Sequence, residues 1–540
     1  MVTGSGRYFR NEAEKPVNGK EKHKEPVRQK REQTEVWMVS CVLSGGIRGI
    51  ESFMVRVEAD ISEGMPLFEL VGYLGSEVKE ARERVKTALK NSGISLPVKH
   101  LTVNLAPADI RKSGTGYDMP MAVAVLHAMK EIPQECIENT LFAGELMLSG
   151  EFAGINGILP IALKARQEGI KRLIVPKENA GEACVVDGIK VYGTRDLSEL
   201  VGFLRGETEI ACEEEFAIPE YEDDSIDLKY VNGQKLARRG IEIAAAGMHN
   251  ILMVGPPGAG KSMLSKCIPT ILPRLSREEC LEVSSIYSVA GALNNKRVMN
   301  SRPFMSPHHT VTEVGMTGGG VGMRPGCISL AHRGVLFLDE MPEFSRNALE
   351  SLRQPLEDRR INLARFRGSL SYPADFMLVG AMNPCPCGAF PDLSRCSCSA
   401  AEIKRYADRL SKPLLDRIDI CINVEKLDYR DMFDKKENES SKTVRERVKK
   451  AQEIQRERYK DREGVFFNSA MSAADIKAFC VLRPKEEAFL LKMAEGLGIS
   501  ARSYHKILRV ARTIADLSGE QEISMEALTE AIHYNRMYGA

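Results

Sequence analysis

Apolar and polar positions follow two different periods along the N-terminal part of the chain. Residues 53–59 alternate with a period of two, which predicts a half-buried strand, and residues 38–43 favour another strand. Residues 76–91 instead place apolar side chains at helical spacing, with Ser76 as the expected N-cap and Gly93 just beyond the end. Such signals alternate to about residue 205, so we predict an α/β or α+β domain over residues 36–205.

The pattern changes twice more toward the C-terminus. Residues 206–229 are acidic and form the expected linker, and a second α/β region is predicted over residues 230–430. The remainder, residues 431–540, has a helical pattern with helix starts expected at Ser472 and Ser524. Its first part, residues 435–462, is dense in charge and is interpreted as a solvated helix or linker.

Composition narrows the class of protein. The chain has 540 residues, 43% apolar and 28% charged, with a formal net charge of +1. These values are typical of globular proteins, and any basic surface for nucleic acid has to be local. Residues 1–35 are charged and lack an apolar core, so we expect a disordered tail rather than a secretory signal. With no run of about 18 apolar residues, no membrane partner is expected, and the predicted location is the cytoplasm with reduced cysteines.

A glycine-rich loop between a short strand and a helix carries the clearest chemistry. Apolar residues 251–254 precede it, and helical residues follow. Its backbone N–H groups can surround phosphate oxygens at the positive end of the helix. Lys261 is expected to reach the β- and γ-phosphates of ATP, and Ser262 is expected to ligate Mg²⁺. The predicted nucleotide-binding residues are Gly255, Pro256, Pro257, Gly258, Ala259, Gly260, Lys261 and Ser262.

Two acidic residues follow a second apolar stretch, residues 334–338. In a doubly wound sheet this strand would end near the glycine-rich loop. Asp339 is expected to hold Mg²⁺, mostly through water, and Glu340 to orient and deprotonate the attacking water. The next predicted strand ends at Asn383, whose amide could contact the γ-phosphate or that water.

Two arginines are candidates for stabilising charge on the transferring phosphoryl group. Arg417 precedes the apolar residues 418–424, and Arg502 lies at the start of a predicted C-terminal helix. The residues alone leave open which arginine acts within a subunit and which acts across an interface.

These features together resemble the AAA+ ATPases of the magnesium-chelatase-like group, specifically the YifB/ComM family. The likeness covers nearly everything from Val36 on and includes Ser-Pro-His-His at residues 306–309. Further matching motifs occupy residues 60–66, 82–93, 102–109, 328–340 and 504–517. The resemblance implies an AAA+ core with a parallel sheet and helices on both faces, a Lon-protease-like α+β N-terminal domain and a C-terminal helical lid. It also implies a homo-hexameric ring, with Arg417 as the finger reaching a neighbour's ATP and Arg502 as the lid sensor.

The Lon-like resemblance raises the question of peptide hydrolysis, which requires a serine nucleophile and a lysine base. The matching segment, residues 112–120, has Gly116 where the serine would stand, and Lys164 lies about one turn from the required place. Ser113 and Lys164 could still be paired, but we predict a domain without protease activity, used as a scaffold or a DNA-facing surface.

Four of the thirteen cysteines fall within residues 385–398 as Cys-x-Cys and Cys-x-Cys. Four thiolates on two tight turns suit tetrahedral Zn²⁺, although the spacing within each pair is shorter than usual. Free thiols in a Pro/Gly-rich loop are the alternative. The candidate zinc ligands are Cys385, Cys387, Cys396 and Cys398.

A glycine-rich insertion, residues 306–326, separates the loop helix from the acidic strand. By resemblance it faces a ring pore, with Arg324 and His308 as hypothetical DNA contacts. A metal site on His308 and His309, or a plain supporting loop, are the alternatives.

The family resemblance further implies that the function is ATP-driven remodelling of single-stranded or branched DNA, by helicase or branch-migration activity. A magnesium-chelatase-type motor subunit and a protein-remodelling ATPase are the competing hypotheses.

Overall fold

The computed structural model describes residues 39–214, 216–219, 225–294, 296–320, 322–365, 368–426, 438–462 and 464–535. The predicted tail, residues 1–35, lies outside these ranges, as does part of the predicted acidic linker. Within the described residues no helix is both long enough and apolar enough to cross a membrane.

A mixed sheet organises the N-terminal part. Its strands and an accompanying hairpin are β1 (Ser40–Arg48), β2 (Glu51–Ser62), β3 (Leu67–Val71), β4 (His100–Ala106), β5 (Thr140–Phe142), β6 (Glu145–Leu146), β7 (Phe152–Ala153), β8 (Arg172–Pro176) and β9 (Lys190–Thr194). Seven of them form one sheet in the order β3-β4-β2-β1-β5-β8-β9, and β6 pairs with β7. The strands predicted over residues 38–43 and 53–59 are confirmed as β1 and β2.

Helices cover this sheet, and one helix start differs from the prediction. The helices are Ser76–Asn91, Asp118–Ala128, Gln134–Ile137, Ile158–Gln167, Lys177–Ala183 and Leu197–Leu204. In the first of them the N-cap is Gly75, not Ser76. The Gly75 N–H donates to the Lys112 carbonyl at 2.7 Å. This tie holds Gly75 in extended backbone, so Ser76 becomes the first helical residue. Gly93 lies beyond the end with φ +80°, as predicted.

A parallel sheet forms the second part. The strands are β10 (Ile251–Val254), β11 (Phe304–Met305), β12 (Gly318–Gly319), β13 (Arg324–Pro325), β14 (Val335–Leu338), β15 (Arg360–Arg365), β16 (Gly368–Pro373), β17 (Met377–Met382) and β18 (Ile420–Asn423). Five of them are parallel, in the order β11-β14-β17-β10-β18. Every residue of β10, β14 and β17 is buried, as the apolar runs predict. Two-stranded antiparallel pairs β12–β13 and β15–β16 lie outside this sheet.

Helices surround the parallel sheet and continue to the C-terminus. The helices of this part are Lys235–Gly247, Lys261–Ile271, Arg277–Ala290, Glu313–Thr317, Cys327–Leu330, Arg346–Glu350, Arg353–Asp358, Ala400–Ala407 and Lys412–Leu415. The C-terminal helices are Ser441–Arg458, Ala473–Phe479, Pro484–Leu497, Ala501–Ser518 and Met525–Asn535. Ser472 forms a capping box with Asp475, and the Ser524 hydroxyl accepts from the Ala527 N–H at 3.3 Å, so both predicted helix starts are confirmed.

The described residues from Val39 on belong to one compact unit, in which the N-terminal part, the parallel-sheet part and the C-terminal helices are in contact. The Gly157 N–H donates to the Ser288 carbonyl at 3.2 Å, which joins the N-terminal part to helix Arg277–Ala290. Ile241, Val448 and Ile507 belong to one buried apolar cluster, which joins the parallel-sheet part to the C-terminal helices. The domain bounds given above stay predictions.

Candidate nucleotide-binding site

The glycine-rich loop connects β10 to helix Lys261–Ile271. Gly255 leaves the strand so close to its neighbour β18 that a Cβ would lie 2.2 Å from the Val424 carbonyl oxygen, so only glycine fits. Gly260 adopts φ +90° as the helix N-cap, in the left-handed region that favours glycine. The loop therefore packs tightly against the neighbouring strand of its sheet and leads directly into the N-terminus of the helix.

Lys261 lies inside the loop, almost fully buried. Its Nζ donates to the carbonyls of Gly255 and Pro256, the latter at 3.0 Å, and to Asn383 Oδ1 at 3.2 Å. Burial lowers the pKa of Lys261, and the charges of Asp339 and Glu340 oppose that effect. A buried ammonium group at this place is a direct partner for anionic phosphate oxygens.

Ser262 and Asp339 form the second contact of the site. The Ser262 hydroxyl donates to Asp339 Oδ2 at 2.7 Å, and the Glu340 N–H donates to Asp339 Oδ1 at 3.0 Å. Glu340 has φ +50°, a left-handed conformation that is costly for a non-glycine residue, and its side chain is exposed. A hydroxyl and a carboxylate oxygen are hard donors of the kind that Mg²⁺ takes, so this pair fits the predicted ion.

Strand order explains why these side chains meet. Strand β17 lies between β14 and β10, so Asn383, at the end of β17, lies between the acidic pair and the loop. All three strands are parallel, so their carboxyl ends share one sheet edge. The predicted residues Lys261, Ser262, Asp339 and Asn383 therefore converge, with Glu340 beside them.

The two predicted arginines lie elsewhere. Arg417 forms an ion pair with Glu357, and Arg502 Nη1 donates to Asp416 Oδ2 at 3.0 Å. Both arginines line one cavity of about 500 Å³, together with Lys506 and other residues. None of residues 255–262 is among the described residues that line it. Within one chain, the two arginines thus lie together at a second site, separate from the loop, and each is paired with a carboxylate.

The four candidate cysteines form one cluster. Their sulfur atoms all lie within 4.8 Å of one another. The Sγ–Sγ distances are 3.4 Å for Cys385–Cys387, 3.8 Å for Cys385–Cys396 and 3.7 Å for Cys387–Cys396. The backbone N–H of Ala389 stabilises the Cys387 thiolate, which lowers the pKa of Cys387 to about 6. Among the described residues this is the one cluster of three or more potential metal ligands.

The histidines of the insertion do not form such a cluster. His308 is exposed and its Nδ1 lies 2.9 Å from the Thr310 hydroxyl, while its ring packs on His309 at 4.1 Å between centroids. Arg324 is exposed in β13. The insertion therefore presents His308 and Arg324 to solvent, and the predicted DNA contacts stay predictions.

The candidate protease pair is not assembled. Lys164 Nζ lies 2.7 Å from Oε1 of Glu168, the C-cap of the helix that carries Lys164, and Ser113 is exposed. No hydrogen bond joins Ser113 to Lys164 within the described part of the chain.

Sequence reasoning missed one contact of this site. A Cβ on Gly388 would lie 2.6 Å from Pro257 Cδ, so the loop that carries Cys387 packs directly on the nucleotide-binding loop. The only signal in the sequence is the glycine that follows Cys387, and a glycine alone does not indicate which residue it packs against.

Comparisons with known proteins agree with this arrangement. The family described as "Magnesium chelatase, subunit ChlI" matches residues 227–432. The families described as "Subunit ChlI of Mg-chelatase" and "Magnesium chelatase, subunit ChlI C-terminal" match residues 57–179 and 438–535. The three matches together cover the parallel sheet, the C-terminal helices and part of the N-terminal sheet, whose strands β1 and β9 lie outside them.

Individual relatives are similar over most of the chain. Competence protein ComM of Haemophilus influenzae is 40% identical over 504 residues, 92% of this chain and 98% of its own length. The protein YifB of Escherichia coli is 39% identical over 504 residues, 92% of this chain and 97% of its own length. Lon protease 2 of Bacillus subtilis is 30% identical over 128 residues, 23% of this chain and 22% of its own length.

Proposed function

Because the chain belongs to the YifB/ComM family of magnesium-chelatase-like proteins, we propose that it is a ring-forming ATPase that remodels single-stranded or branched DNA. Family membership supports an ATPase. The observation that carries the proposal is the convergence of Lys261, Ser262 and Asp339 at one sheet edge. That constellation has a phosphate partner, a metal-ligand pair and an adjacent carboxylate in Glu340.

Each side chain has a defined part in the proposed hydrolysis. Lys261 exchanges its bonds to loop carbonyls for bonds to the β- and γ-phosphates of ATP. Ser262 and Asp339 would hold Mg²⁺, which would neutralise charge on the phosphates when bound. Glu340 accepts a proton from the attacking water, and Asn383, already bonded to Lys261, orients the water or the γ-phosphate.

The arginines support action across a subunit interface. ATP hydrolysis gains from a guanidinium group on the transferring phosphoryl group, but Arg417 and Arg502 line a cavity without loop residues. A head-to-tail ring brings the cavity of one subunit to the loop of the next. We therefore assign both arginines to a neighbour's ATP in a homo-hexamer.

DNA as the substrate rests on two observations of different kinds. The relative ComM is named a competence protein. In this chain, exposed Arg324 and His308 lie in the glycine-rich insertion, where a basic and a hydrogen-bonding side chain can contact phosphates and bases. The unassembled Ser113–Lys164 pair supports a domain without protease activity.

The matching family descriptions favour a second candidate, a magnesium-chelatase-type motor subunit that acts on a metal–tetrapyrrole partner. Such a motor needs a partner subunit to hold its substrate. A protein-remodelling ATPase is a third candidate.

The experiment that separates DNA remodelling from protein remodelling compares the ATPase rate of the full chain alone, with single-stranded DNA, with branched DNA and with an unfolded protein. We expect DNA to bind and to raise the rate, whereas absence of both effects would overturn the DNA assignment. Stimulation by unfolded protein alone would support the third candidate.

The same assay tests the catalytic base. Glu340→Gln should keep ATP binding and lower turnover by ~10²–10⁴-fold, because the amide cannot take the proton from water. Glu446→Gln, an exposed acid on helix Ser441–Arg458, is the matched control and should keep the wild-type rate. Retained turnover in Glu340→Gln would remove Glu340 from this role.

A further inference from the structure

The four clustered cysteines have the chemistry of a metal site rather than of a nucleotide contact. We propose that Cys385, Cys387, Cys396 and Cys398 bind one structural Zn²⁺ ion and that the resulting loop braces the nucleotide-binding loop. The zinc site stands on its own geometry, whereas the brace rests on the proposed nucleotide site.

Three of the four sulfurs are spaced as they would be around a single tetrahedral ion. Zn–S bonds of ~2.3 Å at tetrahedral angles place sulfurs ~3.8 Å apart. The observed Sγ–Sγ distances of 3.4, 3.7 and 3.8 Å are close to that edge length. They are far longer than the ~2.05 Å of a disulfide, and all four thiols are free. The Cys398 sulfur completes the set, since all four sulfurs lie within 4.8 Å of one another.

Two backbone turns make the short Cys-x-Cys spacing workable. The Gly388 N–H donates to the Cys385 carbonyl at 3.0 Å, and the Cys396 N–H donates to the Asp392 carbonyl at 2.9 Å. The Phe390 N–H donates to Cys385 Sγ at 3.4 Å, which helps to fix the position of this sulfur. Soft thiolate ligands select Zn²⁺ over Mg²⁺, so this site does not compete with Ser262 and Asp339 for the nucleotide's ion.

The loop touches the nucleotide site on one side. Gly388, next to Cys387, packs on Pro257 so closely that a Cβ would lie 2.6 Å from its Cδ. Asn383, which is bonded to Lys261, lies two residues before Cys385. Zn²⁺ therefore fixes the chain segment that follows Asn383 and the surface against which Pro257 rests.

The loop reaches the acidic side of the site as well. Immediately after Cys398, Ser399 forms a capping box with Glu402 and starts helix Ala400–Ala407. Just beyond that helix, Arg409 Nη1 donates to Glu343 Oε1 at 2.7 Å. Glu343 lies three residues after Glu340 in the sequence. The cluster thus lies in one continuous segment that contacts both halves of the nucleotide site.

Metal analysis tests the zinc site without nucleotide. The purified full chain, kept reduced, should contain about one zinc per chain by mass spectrometry, released by a mercurial reagent. Cys387→Ser combined with Cys396→Ser should remove that zinc, while Cys212→Ser, an exposed cysteine outside the cluster, should keep it. A wild-type chain that stays metal-free after reconstitution with Zn²⁺, or that contains iron instead, would overturn the zinc assignment.

The brace is tested by a variant that keeps all four cysteines. Gly388→Ala places a methyl group against Pro257 at a φ of +76°. We expect zinc to be retained and the Kd for a fluorescent ATP analogue to rise by about tenfold, ~1.4 kcal/mol. Gly206→Ala has the same kind of strained φ with open space around it and serves as the control for strain alone.

Removal and return of metal on the wild-type chain complete the test. Mercurial release of zinc should weaken analogue binding, and thiol reductant with Zn²⁺ should restore it. Unchanged affinity in both Gly388→Ala and the zinc-free chain would overturn the brace. If no preparation binds the analogue, including zinc-loaded wild type, the proposed nucleotide site fails instead and the zinc content still decides the metal site.

Discussion

At the scale of single residues, Glu282 helps to place the acidic strand. Its carboxylate lies 3.0 Å from His332 Nε2 and 3.0 Å from Arg333 Nε, in the segment that leads into β14. Burial alone would raise the pKa of Glu282, but His332 and Arg333 outweigh it and lower the pKa to about 2. The charged carboxylate therefore stabilises the connection between helix Arg277–Ala290 and the strand that ends at Asp339.

The sign of this shift sets a pH dependence. A carboxyl group whose folded pKa lies below its unfolded value of ~4.3 contributes stability above that value and loses it as pH falls toward 2. We expect Glu282→Gln to lower the unfolding midpoint temperature at pH 7, and we expect the gap to wild type to narrow as the pH falls from ~4.3 toward about 2. Exposed Glu495→Gln is the control, and a gap that is constant with pH would contradict the prediction.

At the scale of elements, helix Ser441–Arg458 shows how a charged segment can be structural. Its sequence predicts a solvated helix or linker, yet one face is buried. Gln452 Nε2 donates to the Ala245 carbonyl at 2.9 Å, and Gln455 Nε2 donates to the Ala246 carbonyl at 3.0 Å. These amides satisfy carbonyls in the last turn of helix Lys235–Gly247, which precedes the nucleotide-binding strand.

The buried amide of Gln455 makes this contact testable. Gln455 also accepts from the Asn468 N–H at 2.9 Å, so Gln455→Met leaves two buried backbone groups without this partner. Each orphaned group costs about 1–3 kcal/mol, and the midpoint of thermal unfolding should fall. Glu453→Gln, exposed on the same helix, should leave the midpoint unchanged. An unaltered midpoint in Gln455→Met would contradict the proposed role.

Features built from residues close together in sequence were predictable, whereas contacts between distant segments were not. Strand, glycine-rich loop and helix are contiguous, so the phosphate-binding loop and the strand before Asp339 were predictable from local pattern. The convergence of Asn383 and Asp339 needed only the rule that parallel strands end at one edge. The shared cavity of Arg417 and Arg502 and the packing of Gly388 on Pro257 join segments that are distant in sequence. No local pattern encodes such contacts.

At the scale of the whole molecule, the separation of the arginines from the loop leads us to predict that the proposed ATPase activity depends on assembly. Arg417 and Arg502 share a cavity that no described loop residue lines. If a neighbouring subunit completes each ATP site, a subunit with an intact nucleotide-binding loop can use the arginine of a neighbour whose own loop is inactivated by mutation. Mixing two inactive variants then restores some sites, which a site built within one chain cannot do.

The expected result is recovery on mixing. Lys261→Ala and Arg417→Ala should each be inactive alone, after size-exclusion chromatography shows that both assemble. Roughly one site in four should work in a random equal mixture, because a working site needs one intact loop and one intact neighbouring arginine. Lys261→Ala mixed with Glu340→Gln is the matched control and should stay inactive, since both residues belong to the same subunit's site. No recovery with Arg417→Ala would place that arginine in its own subunit's site.

Because Arg502 lines the same cavity, Arg502→Ala should recover in the same way when it is mixed with Lys261→Ala. Failure of Arg502→Ala alone would assign Arg502 to the nucleotide of its own chain.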